Sequence, residues 1–161
     1  MNWKDLFVKQ KELDSYIKKN HRLEGEDLIC RKMLAFQVEL GELANETRCF
    51  KFWSLKPASP EDIILEEYVD GLHFLLSLGL ELSCTFDFLE PAPADEDLTN
   101  QFQRVYRFAN RFVEESTIHN YKLLFASFLA LGRQLQLTEK AVMEAYWAKN
   151  QVNRQRQQEG Y

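Results

Sequence analysis

Glycine and proline are scarce in this chain, with six glycines and four prolines among 161 residues. Sheets built from short strands need many turns, and turns draw heavily on these two residues. Leucine, glutamate, phenylalanine and alanine are plentiful instead. The composition therefore predicts an all-α fold. At this length we expect a single domain over residues 1–161 that can bury a substantial core.

The sequence also lacks the features of a secreted or membrane protein. Its three cysteines are an odd number without metal-ligand spacing, which is typical of free thiols in a reducing compartment; they are Cys30, Cys49 and Cys84. The N-terminus has no signal-peptide pattern. The longest apolar run, Leu72 to Leu80, is interrupted by His73 and is too short to span a bilayer. We expect a soluble, cytoplasmic protein.

An excess of positive charge is missing as well, because the formal net charge is −5. This charge argues against a general nucleic-acid binder and against a protein that binds anionic membranes. It does not exclude a polyanionic ligand that is bound through divalent cations. We therefore expect neither a nucleic acid nor a membrane as partner.

Apolar residues recur at helical spacing in six stretches of the chain. They predict helices at about 2–19, 26–49, 60–82, a stretch ending near 115, 119–135 and 139–154. Ser59 suits the N-cap of the third helix, with Pro60 in the first helical position and Asp62 as the capping-box acid. Thr138 is expected to cap the last helix.

Two pairs of acids stand out within these helices. Glu39 and Glu42 are three residues apart and share a helix face, and Glu46 lies one turn further along. Glu67 and Asp70 have the same spacing in a strongly apolar helix. Carboxylates among core residues are costly unless a cation neutralises them. Two such pairs suggest a site for a hard divalent metal such as Mg²⁺ or Mn²⁺.

Other chemistries receive little support from the sequence. A di-iron bundle needs Glu-x-x-His pairs, whereas the one helical histidine near an acid is His73, after Asp70. No Gly-x-x-x-x-Gly-Lys phosphate loop is present. A nucleophilic serine or cysteine triad has no visible support either. A nucleotide would have to be held by metal-bridged phosphates together with lysine and arginine.

The end of the last predicted helix supplies such cations. Residues 149–156 contain three cations and no acid in a negatively charged chain. Lys149, Asn153 and Arg156 approximate one helix face, and Asn150 and Arg154 the neighbouring one. Complementing the helix dipole explains the cations, but it does not explain the asparagines, which are poor helix formers.

These motifs resemble the dimeric dUTPases of the all-α NTP pyrophosphatase superfamily, relatives of the MazG-like proteins. The resemblance rests on the two acid pairs, on the aromatic segment Phe50-x-x-Trp53, and on the C-terminal segment with its lysine, asparagines and final Gly-Tyr. It touches the first, second, third and last predicted helices. It implies a bundle of about five to six helices with a central four-helix core, and a homodimer.

The resemblance also implies an activity, the hydrolysis of dUTP to dUMP and pyrophosphate with Mg²⁺, for which Mn²⁺ is a candidate substitute. The metal ligands would be Glu39, Glu42, Glu67 and Asp70, and one of the first two would also activate the attacking water. Glu46 is a further candidate ligand.

The same resemblance assigns the substrate-binding residues. Uracil recognition falls to Gln10, Trp53, His73 and Phe74, while Asp14 stands close to where the family often has asparagine. The sugar or the phosphates fall to Asn150 and Asn153, and the phosphates to Lys149, Arg154 and Lys51. Tyr161 matches the terminal Gly-Tyr of the family. The segment from about 149 to 161 is expected to close on the nucleotide.

Two other functions stay open at this point. A dCTPase, or an enzyme that accepts both dCTP and dUTP, would use the same four carboxylates and differ only in its base pocket. A catalytically silent helical module that binds other proteins would show no metal dependence.

Overall fold

The computed structural model describes residues 1–86, 89–95 and 97–160, and in these residues it has six α-helices and no strand. The helices are α1 (Trp3–Asn20), α2 (Ile29–Thr47), α3 (Glu61–Glu81), α4 (Leu98–Glu114), α5 (Ile118–Gln134) and α6 (Glu139–Gln158). The all-α prediction is confirmed. No helix of the described residues is long and apolar enough to cross a membrane.

Helix α3 lies at the centre of the bundle, in contact with α1, α2, α5 and α6. Its sequence explains this position, because apolar residues cover almost all of its circumference from Tyr68 to Leu80. Helix α2 runs antiparallel to α3, since contacts join Lys32 to Glu81 near one end and Glu46 to Ser59 at the other. The two helices that carry the acid pairs are therefore immediate neighbours.

An aromatic cluster fixes the spacing between α3 and the helices behind it. The Phe128 ring of α5 stacks on Tyr68 with ring centroids 4.5 Å apart, and it meets Phe36 of α2 edge-on at 5.5 Å. Gly71 allows this approach, because a Cβ atom there would lie 3.0 Å from the Phe128 ring. The backbone that carries Glu67 and Asp70 is thus held against a rigid aromatic layer.

The structure confirms one helix cap and corrects another. Thr138 caps α6 by accepting a hydrogen bond from the Ala141 N–H, as predicted. Ser59 does not cap α3; the N-cap is Pro60, without a side-chain hydrogen bond. The Ser59 hydroxyl donates instead to the Glu46 carboxylate, a stronger acceptor than a backbone group offers.

Three helix boundaries also differ from the prediction. Helix α2 begins at Ile29 rather than near 26, because the chain turns at Gly25 with a φ of +84°. It ends before Cys49, because Arg48 adopts the left-handed conformation with a φ of +58°. Helix α6 continues to Gln158, four residues beyond the predicted end at Arg154.

Candidate metal centre and nucleotide pocket

Three carboxylates from α2 and α3 converge at the face where these helices meet. One oxygen each of Glu39, Glu67 and Asp70 lie within 4.8 Å of one another. All three side chains are half-buried. The i, i+3 spacing places Glu67 and Asp70 on one face of α3, and the antiparallel packing brings Glu39 opposite them. Oxygen ligands at such separations suit a hard divalent cation.

Glu42 and Glu46 occupy different positions relative to this cluster. Glu42 is exposed, yet its charge lies near enough to raise the pKa of both Glu39 and Glu67. The Glu46 carboxylate accepts hydrogen bonds from Ser59 Oγ and, at 3.3 Å, from Asn45 Nδ2. Glu42 thus lies at the exposed edge of the cluster, whereas Glu46 holds the loop that follows α2.

The crowding of these acids alters how they bind protons. Burial, followed by the charge of Asp70 and the other two acids, raises the pKa of Glu39 to about 7 from its usual 4.5. Burial and the neighbouring acids raise the pKa of Glu67 to about 6. Burial also raises the pKa of Asp70, against the opposing effect of Lys149. Burial and, after it, mutual repulsion disfavour the charged forms of these acids, and a bound divalent cation would offset both effects.

Lys149 of α6 forms ion pairs with two acids of α3 at the edge of the carboxylate cluster. Its Nζ lies 2.6 Å from Asp70 Oδ2 and 2.8 Å from Glu66 Oε1. The hydrogen bond from Lys149 lowers the pKa of Glu66. The ammonium therefore stands at the border between the carboxylate cluster and the cavity beside it.

A cavity of about 280 Å³ extends from this cluster between α1, α2, α3 and α6. Eight of the residues singled out in the sequence line it: Gln10, Asp14, Glu39, Asp70, His73, Phe74, Lys149 and Asn153. The cavity therefore brings two of the clustered acids, Glu39 and Asp70, together with the His73-Phe74 pair and the cation of Lys149.

Four of the described substrate-binding candidates lie outside the lining of this cavity. Lys51 and Trp53 belong to the loop after α2, where Trp53 is 64% exposed and the Lys51 ammonium donates to Asn45. Arg154 lies with its guanidinium 6.0 Å from the Tyr16 ring centroid. Asn150 is partly buried one turn after Tyr146. Tyr161 lies outside the described residues.

A chain of hydrogen bonds closes the inner end of the cavity. Gln10 donates from Nε2 to Asp14 Oδ1 at 2.8 Å, and its Oε1 lies 2.8 Å from His73 Nδ1. Tyr146 donates to the same Gln10 oxygen at 2.9 Å and stacks on the His73 ring. Burial, and secondarily the charge of Lys149, lowers the pKa of His73 to about 3. The imidazole is therefore neutral at physiological pH.

The structure adds four residues that the sequence analysis did not assign to the site. Lys32 and Arg156 contribute cations to the cavity lining, Ser77 donates to Asp14, and Tyr146 completes the chain at Gln10. Helical spacing offers a signal for Arg156, which shares the face of Lys149 and Asn153. Lys32 and Ser77 are isolated polar residues, and only the packing of three helices brings them to Asp14.

A family model described as dUTPase matches residues 2–161. No curated protein matches the chain significantly.

Proposed function

The chain belongs to the dUTPase family and is a dUTP diphosphatase, and we propose that it uses Mg²⁺ held by Glu39, Glu42, Glu67 and Asp70. The observation that supports this proposal most directly is the convergence of three of these carboxylates within 4.8 Å. Their oxygens are the ligands that Mg²⁺ prefers, and Mn²⁺ would fit the same set. A bound divalent ion lowers the pKa of its water and offsets charge on phosphate oxygens.

The carboxylates of α2 would also handle the proton of the attacking water. One of Glu39 and Glu42 would orient this water and accept its proton, because Glu39 lies opposite the acids of α3 and Glu42 lies one turn from it on α2. The rigid backbone of both helices supports this role, since a general base must be held within hydrogen-bond reach of the proton that it removes. The Glu46 carboxylate accepts a hydrogen bond from Ser59, so its role would be to hold the loop rather than to bind the metal.

The cationic side of the cavity suits the triphosphate. Lys149 and Arg156 line the cavity together with Asn153, all from α6. A phosphate near Asp70 would take over the Lys149 ammonium, which is paired with two acids in this structure. Lys51 and Arg154 lie outside the lining, so a phosphate contact from either requires a movement of the loop or of the end of α6.

The inner end of the cavity suits the base. Gln10 and His73 offer hydrogen-bonding groups there, and Phe74 offers an aromatic surface. Trp53 projects into solvent from the loop after α2, so it would reach a base only after that loop is rearranged or through a second copy of the chain.

Removing the metal is expected to abolish the activity. Purified protein should release pyrophosphate from dUTP with Mg²⁺, lose this activity in excess EDTA, and regain it when Mg²⁺ or Mn²⁺ is added back. Hydrolysis that EDTA leaves unchanged would contradict the metal proposal.

The same assay with dCTP, dTTP and UTP separates the alternative functions. We expect dUTP to be the preferred substrate. A preference for dCTP would indicate the related dCTPase activity, and inactivity on all four would indicate a silent binding module.

We further propose that the chain forms a homodimer through the loop after α2. Phe52 is 94% exposed and Leu55 is fully exposed, although the loop itself is ordered by hydrogen bonds from Arg48 to Ser54 and Lys56. An ordered apolar tip that projects into water is typical of an interface. A second copy would bury it.

Charge placed on this tip is expected to split the dimer. Phe52→Asp should lower the mass measured by light scattering from two chains to one, because a carboxylate in an apolar interface is strongly unfavourable. Phe52→Leu keeps the apolar surface and should remain dimeric. A wild-type protein that is monomeric at micromolar concentration would contradict the proposal.

A further inference from the structure

Asp14 occupies a position that the proposed uracil site does not explain. Its carboxylate lies at the inner end of the cavity and accepts hydrogen bonds from Gln10 Nε2 and Ser77 Oγ. Lys32 Nζ lies 3.2 Å from the same group, and its side chain, like that of Asp14, is largely buried. Both carboxylate oxygens are thus occupied by donors of the chain itself, so Asp14 has little capacity left for a ligand.

The chemistry of a carboxylate fixes the orientation of its neighbour. An ionised carboxylate can only accept hydrogen bonds, so the Gln10 amide must turn its NH₂ group toward Asp14. The carbonyl oxygen of Gln10 then faces His73 Nδ1 at 2.8 Å and the Tyr146 hydroxyl at 2.9 Å. With an asparagine at position 14, either orientation of the Gln10 amide would find a partner.

This orientation in turn decides which nitrogen of His73 carries the proton. A carbonyl oxygen accepts, so His73 Nδ1 must donate, and the proton of the neutral ring resides on Nδ1. His73 Nε2 is then an acceptor. It is buried and has no hydrogen-bond partner among the described residues, in a side chain that is 6% exposed and lines the cavity.

We propose that Asp14, held by Lys32 and Ser77, is a positioning residue that sets His73 Nε2 as the acceptor for the N3–H of uracil. The proposal rests on dUTP being the substrate. Within its base, uracil joined to a sugar has one N–H donor, at N3. Cytosine presents a lone pair at the same position, which would oppose that of Nε2. The selection of the base thus begins at a residue that does not contact it.

The proton position can be measured directly by NMR in the full-length wild-type protein. Ring ¹⁵N shifts and long-range ¹H–¹⁵N correlations distinguish the two neutral forms of histidine. The chain has three histidines, and replacing the exposed His21 and His119 by glutamine assigns the remaining signal to His73. We expect a protonated Nδ1 and an unprotonated Nε2 at pH 7. A proton on Nε2 would overturn the proposal, whatever the enzyme hydrolyses.

Asp14→Asn tests the role of the carboxylate. We expect the His73 signal to shift toward a mixture of the two forms, and the ratio of kcat/KM for dUTP to that for dCTP to fall about tenfold or more, as for a buried hydrogen bond that is no longer enforced. Glu12→Gln makes the same chemical change at an exposed position of α1 and should change neither. An Asp14→Asn protein with an unchanged His73 signal and an unchanged ratio would refute the positioning role. Inactivity of the wild type on dUTP would instead refute the function, with the tautomer result unaffected.

Discussion

Replacing Glu39 with glutamine is expected to lower kcat for dUTP by about 10²- to 10⁴-fold, while the metal-free protein becomes more stable. The loss of activity follows because the amide is a poor ligand for Mg²⁺ and cannot accept the proton of water. The gain in stability follows because Glu39 is half-buried among three other acids. Activity and stability therefore move in opposite directions.

The stability gain should depend on pH in a defined sense. The pKa of Glu39 is raised from its usual 4.5 to about 7 in the folded protein. Between these values the folded state holds a proton that the unfolded state has released, so this group destabilises the fold progressively as pH rises from 4.5 to 7. Glutamine has no such proton. The difference in Tm between Glu39→Gln and wild type should therefore widen across this interval.

Thermal unfolding in EDTA from pH 5 to pH 7.5 measures this difference. His73 acts in the opposite sense, because burial lowers its pKa to about 3 and its contribution is lost as pH falls below 6.5. That contribution is common to both proteins and cancels in the comparison. Glu12→Gln, at an exposed site, should give a difference near zero at every pH. A Glu39→Gln protein that is less stable than wild type at pH 7.5 would contradict the electrostatic account, and near-normal turnover would show that Glu39 is not essential.

The second large effect is expected in the aromatic layer behind the proposed metal centre. Phe128→Ala should reduce the free energy of unfolding by about 3–5 kcal/mol, the usual cost of truncating a buried phenylalanine. Phe128 is fully buried and contacts Tyr68 and Phe36. Its ring also lies against Gly71, next to Asp70. The cavity left by the truncation would loosen α3 where it carries the acids, so the apparent affinity for Mg²⁺ should fall as well.

Urea unfolding followed by circular dichroism, at one fixed protein concentration, measures the first of these effects. Phe128→Leu retains most of the apolar volume and should lose less than half as much stability as Phe128→Ala. A loss below about 1 kcal/mol in Phe128→Ala would mean that the site collapses around the missing ring. In that case the Phe128 ring would not be required to hold α3 in position.

The sequence was informative wherever the cause is local. Helical spacing predicted six helices whose stated ends lie within four residues of the observed ones, with no beginning stated for α4. The i, i+3 rule placed Glu67 and Asp70 on one face. The capping role of Thr138 was equally local. These features depend on neighbours in the chain, so the pattern of residues is sufficient to predict them.

Features that depend on the packing of distant helices were not predictable in the same way. Ser59 looked like a helix cap, but Glu46 lies beside it only because α2 and α3 pack antiparallel. Lys149 looked like a phosphate ligand, and nothing in its sequence neighbourhood indicated its pairing with Glu66 and Asp70. The contacts of Asp14 come from three helices at once. The sequence pattern therefore predicted the helices of the fold more completely than it predicted the hydrogen bonds and ion pairs of the site.

The bond between Glu46 and Ser59 has a consequence for how this enzyme could be modified. It clasps the two ends of the loop that joins α2 to α3, and the Ser59 N–H donates to the Glu46 carbonyl at 2.9 Å in the same place. Everything between the clasped ends behaves as an Ω-loop whose base is already closed. A movement of the loop tip is therefore not expected to shift the carboxylates, which lie one turn or more away on the same helices. Substitutions within the loop are therefore expected to leave the positions of the carboxylates on α2 and α3 unchanged, even where they remove the proposed dimer contact of Phe52 and Leu55.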